Sequence, residues 1–433
     1  MVFDFFGRNV HHYPTLPSLA FAIFRSNFMT TENIPQLSGQ IAKDIRQGYT
    51  GGAVDMYIPK SKPGVKIKCL DVNSLYPSEM FKQLMPIGTP SYFKGNIRLF
   101  DPNAFGFFYC KIIAPDKLEH PILQTHVKTN NGIRTISPLG TWEDMIFSVE
   151  MDNAMKLGYK FEILWGYTFH SDVIFKDYVD FLYIFRLNYP KSDPINYLAK
   201  ILLNSLYGRF GMDDNFQEVN IIHKDYYPDF ENKFLDNILK TEDLGDYKLV
   251  TYKINEETIE DDRTHNISIG IAAAITAYAR IHMSQFKFNP EINLYYTDTD
   301  SIYTDSEIEE SFLSETLLGK LKLENTCKEA VFLAPKVYCL KTINDEFIYK
   351  VKGLTHEAEL SLQDFKNLLY KNVFIEKSHT KWFRKLSEAQ IELREQLYTL
   401  KVTDNKRELV YDRNNKLISS KPYIIDNKKD IRK

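Results

Sequence analysis

At 433 residues the chain is too long for one ordinary domain, and its 44% apolar and 26% charged residues are those of a globular protein rather than a disordered one. The net charge is −3, so there is no global basic footprint, and any nucleic-acid partner must be met by locally segregated charge. Four cysteines without CxxC pairing read as buried thiols, not a zinc site or disulfide frame, and no apolar run is long enough to span a bilayer.

Residues 1–48 read as a mixed helical region, with a buried helix over 18–29 after Pro14 and Pro17. No secretory or transit pattern opens the chain. A turn is marked by Tyr49, Thr50, Gly51 and Gly52. Val65 to Cys69 alternates as a strand running into Asp71, and a helix is expected to begin near Pro77. Residues 81–135 hold short strand-like runs. Residues 171–189 turn helical, and a second helix runs from Ile195 to about Tyr207, ended by Gly208 and Gly211. Residues 213–263 are polar and acidic, like an insertion with short strands; Ile267 to Phe286 is a long helix with small residues; Leu294 to Thr304 is strand, tight turn, strand. The fold class is α+β, its acidic residues carried on a sheet.

Four stretches carry chemistry. Asp71 lies between a strand and a helix start, where backbone N–H groups can hold a phosphate and a carboxylate can hold its metal; alone, such an Asp is more often a turn residue. Asp298 and Asp300 flank Thr299 where two apolar strands meet, and would repel without a cation; the plainer alternative is an exposed acidic turn. At helical spacing Asn196, Lys200, Asn204 and Tyr207 share one stripe, opposite Ile195, Leu198, Leu202 and Leu206, and suit a triphosphate and a base. Lys336 and Tyr338, taken as strand residues, share a face that can meet phosphate and sugar. The basic residues after Lys406 are either a solvated end or a DNA-backbone contact.

In this order the stretches resemble motifs A, B and C and the Lys-x-Tyr motif of family B DNA polymerases, with Tyr49–Gly52 resembling the turn that links their nuclease and polymerase parts. The long intervals between motifs resemble the protein-primed subgroup. The phrases around Leu202–Met212 and Leu400–Leu409 look closest to polymerases of linear plasmids in fungal mitochondria. The resemblance implies a right-hand architecture: a remnant or linker over 1–48, palm over 49–170 with a first insertion, fingers over 171–211, a second insertion over 212–263, palm again over 264–340, and a thumb and basic tail over 341–433. It implies two Mg²⁺ ions, replaceable by Mn²⁺, held by Asp71, the Val72 carbonyl and Asp300, with Asp298 as third catalytic acid. The nucleotide would be met by backbone N–H groups of Ser74, Leu75 and Tyr76, and by Arg186, Lys191, Lys200, Asn204 and Tyr207. DNA would be met by Tyr49, Gly51, Gly52, Gly208, Thr299, Lys336 and Tyr338.

The implied partners are primer-template DNA, dNTPs and a terminal protein primer, with no membrane. The implied location is the mitochondrion, the cytoplasm being the alternative. Only 48 residues precede Tyr49, and they hold no Asp-x-Glu; Asp4 and Asp44 stand alone. A missing exonuclease region and no proofreading by this chain are therefore expected. Two competing functions are a metal-dependent nuclease, which leaves the Lys-Asn-Tyr stripe unexplained, and an inactive DNA-binding remnant.

Overall fold

The computed structural model describes residues 5–13, 15–30, 34–129, 132–212, 217–253, 268–354, 360–385, 390–403, 406–426 and 430–432. Asp4, residues 254–263 of the expected second insertion, and Lys428, Lys429 and Lys433 of the basic tail lie outside the described residues.

The helices are α1 (Leu16–Asn27), α2 (Gly39–Gln47), α3 (Leu75–Lys82), α4 (Ser148–Lys156), α5 (Lys176–Leu187), α6 (Pro194–Phe210), α7 (Tyr227–Phe234), α8 (Ile269–Lys287) and α9 (Leu362–Asn367). Local sequence sets their ends. Thr15 and Ser18 form a capping box at α1, and Asp193 accepts from the Ile195 N–H before Pro194 opens α6. Small side chains let α8 run through the interior, where Ala272, Ala274 and Ile275 are fully buried. It packs against α2, α3, α4 and α6.

The central sheet has seven strands: β1 (Val54–Met56), β2 (Ile67–Val72), β3 (Leu294–Asp298), β4 (Ser301–Thr304), β5 (Leu321–Ala334), β6 (Val337–Thr342) and β7 (Phe347–Val351). Their spatial order is β1-β3-β4-β2-β5-β6-β7, every neighbouring pair antiparallel. A six-stranded sheet gathers Met85–Lys94, Gly106–Ile113, Leu139–Phe147 and Lys160–Asp172, and the chain returns at its end to add Ile424–Asp426, parallel to Leu139–Phe147, and Asp430–Arg432. Residues 217–253 form a three-stranded sheet with α7.

Four expectations change. The first-motif helix starts at Leu75, two residues before Pro77, because Ser74 takes a left-handed conformation (φ 51°) and turns the chain early. Gly208 lies inside α6, which runs on to Phe210; Gly211 is its cap, and a Cβ there would lie 2.7 Å from the Tyr49 hydroxyl. Lys336 is not in a strand: with φ 60° it forms the turn between β5 and β6. Much of the basic tail is folded rather than frayed. Arg407 is buried, lies over the Tyr57 ring and donates to Ser420 and to the Glu119 carbonyl.

Candidate active site

Strand β2 lies between β4 and β5, with Asp71 opposite Ser301 on one side and Lys322 on the other. Asp298 ends β3, and the β3–β4 hairpin turns through Thr299 and Asp300. The Val72 N–H donates to the Asp300 carbonyl at 2.8 Å, tying the two acidic segments together. Thr299 turns with φ 57°, a region a β-branched residue rarely enters and which costs about 1–3 kcal/mol. Its N–H donates to the Ala53 carbonyl, and a Cβ on Gly52 would lie 2.4 Å from its methyl. Gly52 therefore permits the Tyr49–Gly52 turn to press on the crest of the acidic hairpin, while Gly51 faces open space.

That turn is held from beneath by residues that the sequence reading missed. Arg280 of α8 donates to the Thr50 and Gly51 carbonyls at 2.6 and 3.2 Å, and pairs both ways with buried Glu150 at 2.7 Å. The available signal was a cation in the middle of a helix rich in Ala and Ile; its partner lies 130 positions away. Arg280→Gln would leave Glu150 buried without its charge partner. It is expected to lose about 3–5 kcal/mol of stability in urea melts, with Glu150→Gln restoring part.

The three acids differ electrically. Burial, then the Asp300 charge and Glu324, push Asp71 up to about 7, against the opposing pull of Lys200 and Lys350. Asp300 is raised too, first by burial. Asp298 instead meets the Lys336 ammonium with both oxygens, at 2.7 and 2.9 Å. Among the described residues no three acidic, His or Cys side chains converge on one metal position. Asp71 and Asp300, two partly buried carboxylates on neighbouring segments, still fit a cation in donor chemistry.

A pH dependence follows. The Asp71 carboxyl titrates near 4 when unfolded and near 7 when folded. Between those values the folded chain keeps a proton that the unfolded chain has lost, so stability falls as pH rises through the window. With EDTA present, the melting temperature is expected to drop from pH 5 to pH 8, and Asp71→Asn to flatten the drop.

Two clefts meet at Asp71 and Asp300, which with Glu324 line both. The larger, about 840 Å³, opens toward α5 and α6. Val72, Ser74, Leu75 and Tyr76 form its floor, and Arg186, Lys191, Lys200, Asn204 and Tyr207 its opposite wall. Arg186 donates to the Ser74 hydroxyl at 3.1 Å, and the Tyr76 and Tyr207 rings lie 4.3 Å apart. Asn196 lines the same cleft as the rest of its stripe, but it is mostly buried, and its amide donates to the Arg186 and Tyr189 carbonyls, joining the end of α5 to α6. Lys322 also lines this cleft, unforeseen, and pairs with Glu324 at 3.3 Å.

The smaller cleft, about 450 Å³, is lined by Asp298, Thr299, Lys336, Tyr338 and Lys350. Tyr338 is buried, and its hydroxyl accepts from Tyr303 at 3.2 Å. Tyr49, packed at Gly211, and Gly208, exposed on α6, lie outside both clefts.

This architecture, an antiparallel sheet whose strand and hairpin bring acids to the foot of a helical wall, is that of a nucleic-acid polymerase. It matches the crystal structure of phi29 DNA polymerase in its orthorhombic form with a TM-score of 0.68 and 22% identity, over 89% of this chain and 68% of that one. The ternary complex of the same polymerase with primer-template DNA and incoming nucleotides matches at 0.65, with 20% identity over 90% and 68%. The sequence profile described as DNA polymerase type B, organellar and viral, matches residues 1–292. A probable DNA polymerase of Ascobolus immersus is 38% identical over all of this chain, and one of Neurospora intermedia is 38% identical over 91% of it. The chain spans 35% and 41% of the length of those two relatives. The chain belongs to the organellar and viral type B DNA polymerases.

Proposed function

We propose that this chain adds deoxynucleotides to a primer 3′-hydroxyl under the direction of a template. The observation that carries this is the meeting of Asp71 and Asp300 at the junction of two clefts, one faced by a cationic and aromatic helix wall. In this reading the central sheet, with β6 and β7 in it, is the palm, α5 and α6 are the fingers, and the part after Val351 is the thumb. The first insertion falls within residues 49–170 and the second over 212–263.

Asp71, Asp300 and the Val72 carbonyl would hold Mg²⁺, or Mn²⁺ in its place. Bound divalent ions supply acidification of the attacking hydroxyl and neutralisation of the leaving pyrophosphate. The chain's own residues do the rest. Lys200, Arg186 and Lys191 hold the triphosphate, as cations no amide replaces. The N–H groups of Ser74, Leu75 and Tyr76 open α3 toward it. Tyr76, Asn204 and Tyr207 line the nascent pair. Asp298, the third acid, sits beside them with Thr299, Lys336 and Tyr338, where the primer end would lie; Tyr49, Gly51, Gly52 and Gly208 would follow the DNA strand.

The subgroup resemblance supports a terminal protein as primer for a linear DNA element, and the organellar profile and fungal relatives support a mitochondrial setting. Among the described residues no helix is long and apolar enough to cross a membrane. The test is a labelled primer on a template with Mg²⁺ and dNTPs. Extension is expected; shortening would favour a nuclease, and an unchanged primer a remnant that binds DNA only.

A further inference from the structure

We infer that Lys336 is the resident counter-cation of Asp298, and that it must leave this carboxylate before a divalent ion can share it. The inference rests on the reading of these acids as a metal-dependent nucleotidyl-transfer site. The Lys336 ammonium lies 2.7 Å from one Asp298 oxygen and 2.9 Å from the other, so both are engaged. Its reach is fixed by its own backbone. The Lys336 N–H donates to the Tyr296 hydroxyl at 2.7 Å, and its carbonyl accepts from the Lys352 N–H at 3.1 Å. Tyr296 lies in β3, two residues before Asp298, so the turn is fastened to the strand that carries the acid. Asp71 and Asp300 have no ion pair among the described residues, so one acid of the three is compensated and two are not.

The Lys336 side chain is 51% exposed and lines the smaller cleft. Swinging the ammonium into that cleft therefore costs little desolvation, and an anionic oxygen there would hold it. The chemistry that fits is a phosphodiester, which takes a lysine as a point charge. Release of Asp298 and capture of the ammonium by a phosphodiester then favour each other, and the coupling is reciprocal. Lys336 is thus a positioning residue: it keeps the third acid neutralised until nucleic acid arrives.

The test is Mn²⁺ binding to the full chain without nucleotide, read by electron paramagnetic resonance. Lys336→Gln is expected to tighten Mn²⁺ binding roughly three- to tenfold, the scale of a partly exposed, charge-assisted pair. Adding Asp298→Asn should erase that gain, and Lys336→Arg, which keeps the pair, should stay near wild type. Primer-template DNA should tighten Mn²⁺ binding in wild type and not in Lys336→Gln. An unchanged or weaker affinity in Lys336→Gln overturns the inference. So does a gain that survives Asp298→Asn, because it would then be a general field effect. Primer extension by the wild-type chain judges the polymerase reading separately. Extension without the Lys336→Gln gain keeps that reading and removes this one; the gain without extension does the reverse.

Discussion

Asp71→Asn, made in the full chain, is expected to lower nucleotide addition by roughly 10³-fold or more while the protein stays folded and binds DNA. Asp71 is the acid shared by both clefts, beside Asp300 and flanked in register by Ser301 and Lys322. An amide keeps the shape but cannot carry the charge that draws a divalent ion. Asp300→Asn should behave alike. Both substitutions also remove a like-charge contact from a partly buried site, so melting temperatures in EDTA at pH 8 should hold or rise. Asp298→Asn should cost less than either, because Asp298 lines only the smaller cleft while Asp71 and Asp300 line both. Near-normal primer extension by Asp71→Asn or Asp300→Asn would sink the assignment, and a lowered melting temperature would show that the lost activity reports folding instead.

Tyr76→Val is expected to relax sugar selection by about 10²-fold, the scale of lost steric discrimination in a tight pocket. The Tyr76 ring lines the larger cleft, tilted by 39° against the Tyr207 ring 4.3 Å away. If the incoming sugar packs on this ring, as the proposed reading has it, the ring leaves no space for a 2′-hydroxyl, and valine opens that space. Deoxynucleotide addition should survive in part, so the measurement is the ratio of kcat/KM for dNTP and rNTP. If Tyr76 served only the core, both activities and the melting temperature would fall together and the ratio would stay where it was.

The candidate acids were legible because each is local. Asp71, and Asp298 with Asp300, sit in short runs whose alternation marks a strand or hairpin without help from distant residues. Lys200, Asn204 and Tyr207 followed from helical spacing, and the structure puts all three on one cleft wall. Asn196 obeyed the same spacing and lines the same cleft, but its burial and its amide's bonds to the carbonyls at the end of α5 depend on a neighbouring helix that spacing alone does not reveal. Lys336 was misplaced for a related reason: Pro335 followed by a residue at positive φ makes a turn that normally signals itself with Gly or Asn, and neither is present. Arg280 and Glu150 could not be paired from sequence, since helical or strand periodicity says nothing about a partner 130 positions away.

The strand that bears Asp71 has a consequence for how the chain matures. Its ladder partners are β4 and β5, supplied by residues 301–304 and 321–334. During synthesis β2 therefore waits for more than half the chain, unable to pair or to bury Ile67 and Cys69. Loop closure over that separation is slow, and contact order on this scale places sheet formation late in folding. The helices, whose hydrogen bonds are local, can form first and await the strands. Any fragment released before residue 334 leaves an unpaired edge, with the hazard of association through it. The candidate acids come together only when β4 pairs with β2, so the proposed site is assembled in one late, cooperative event.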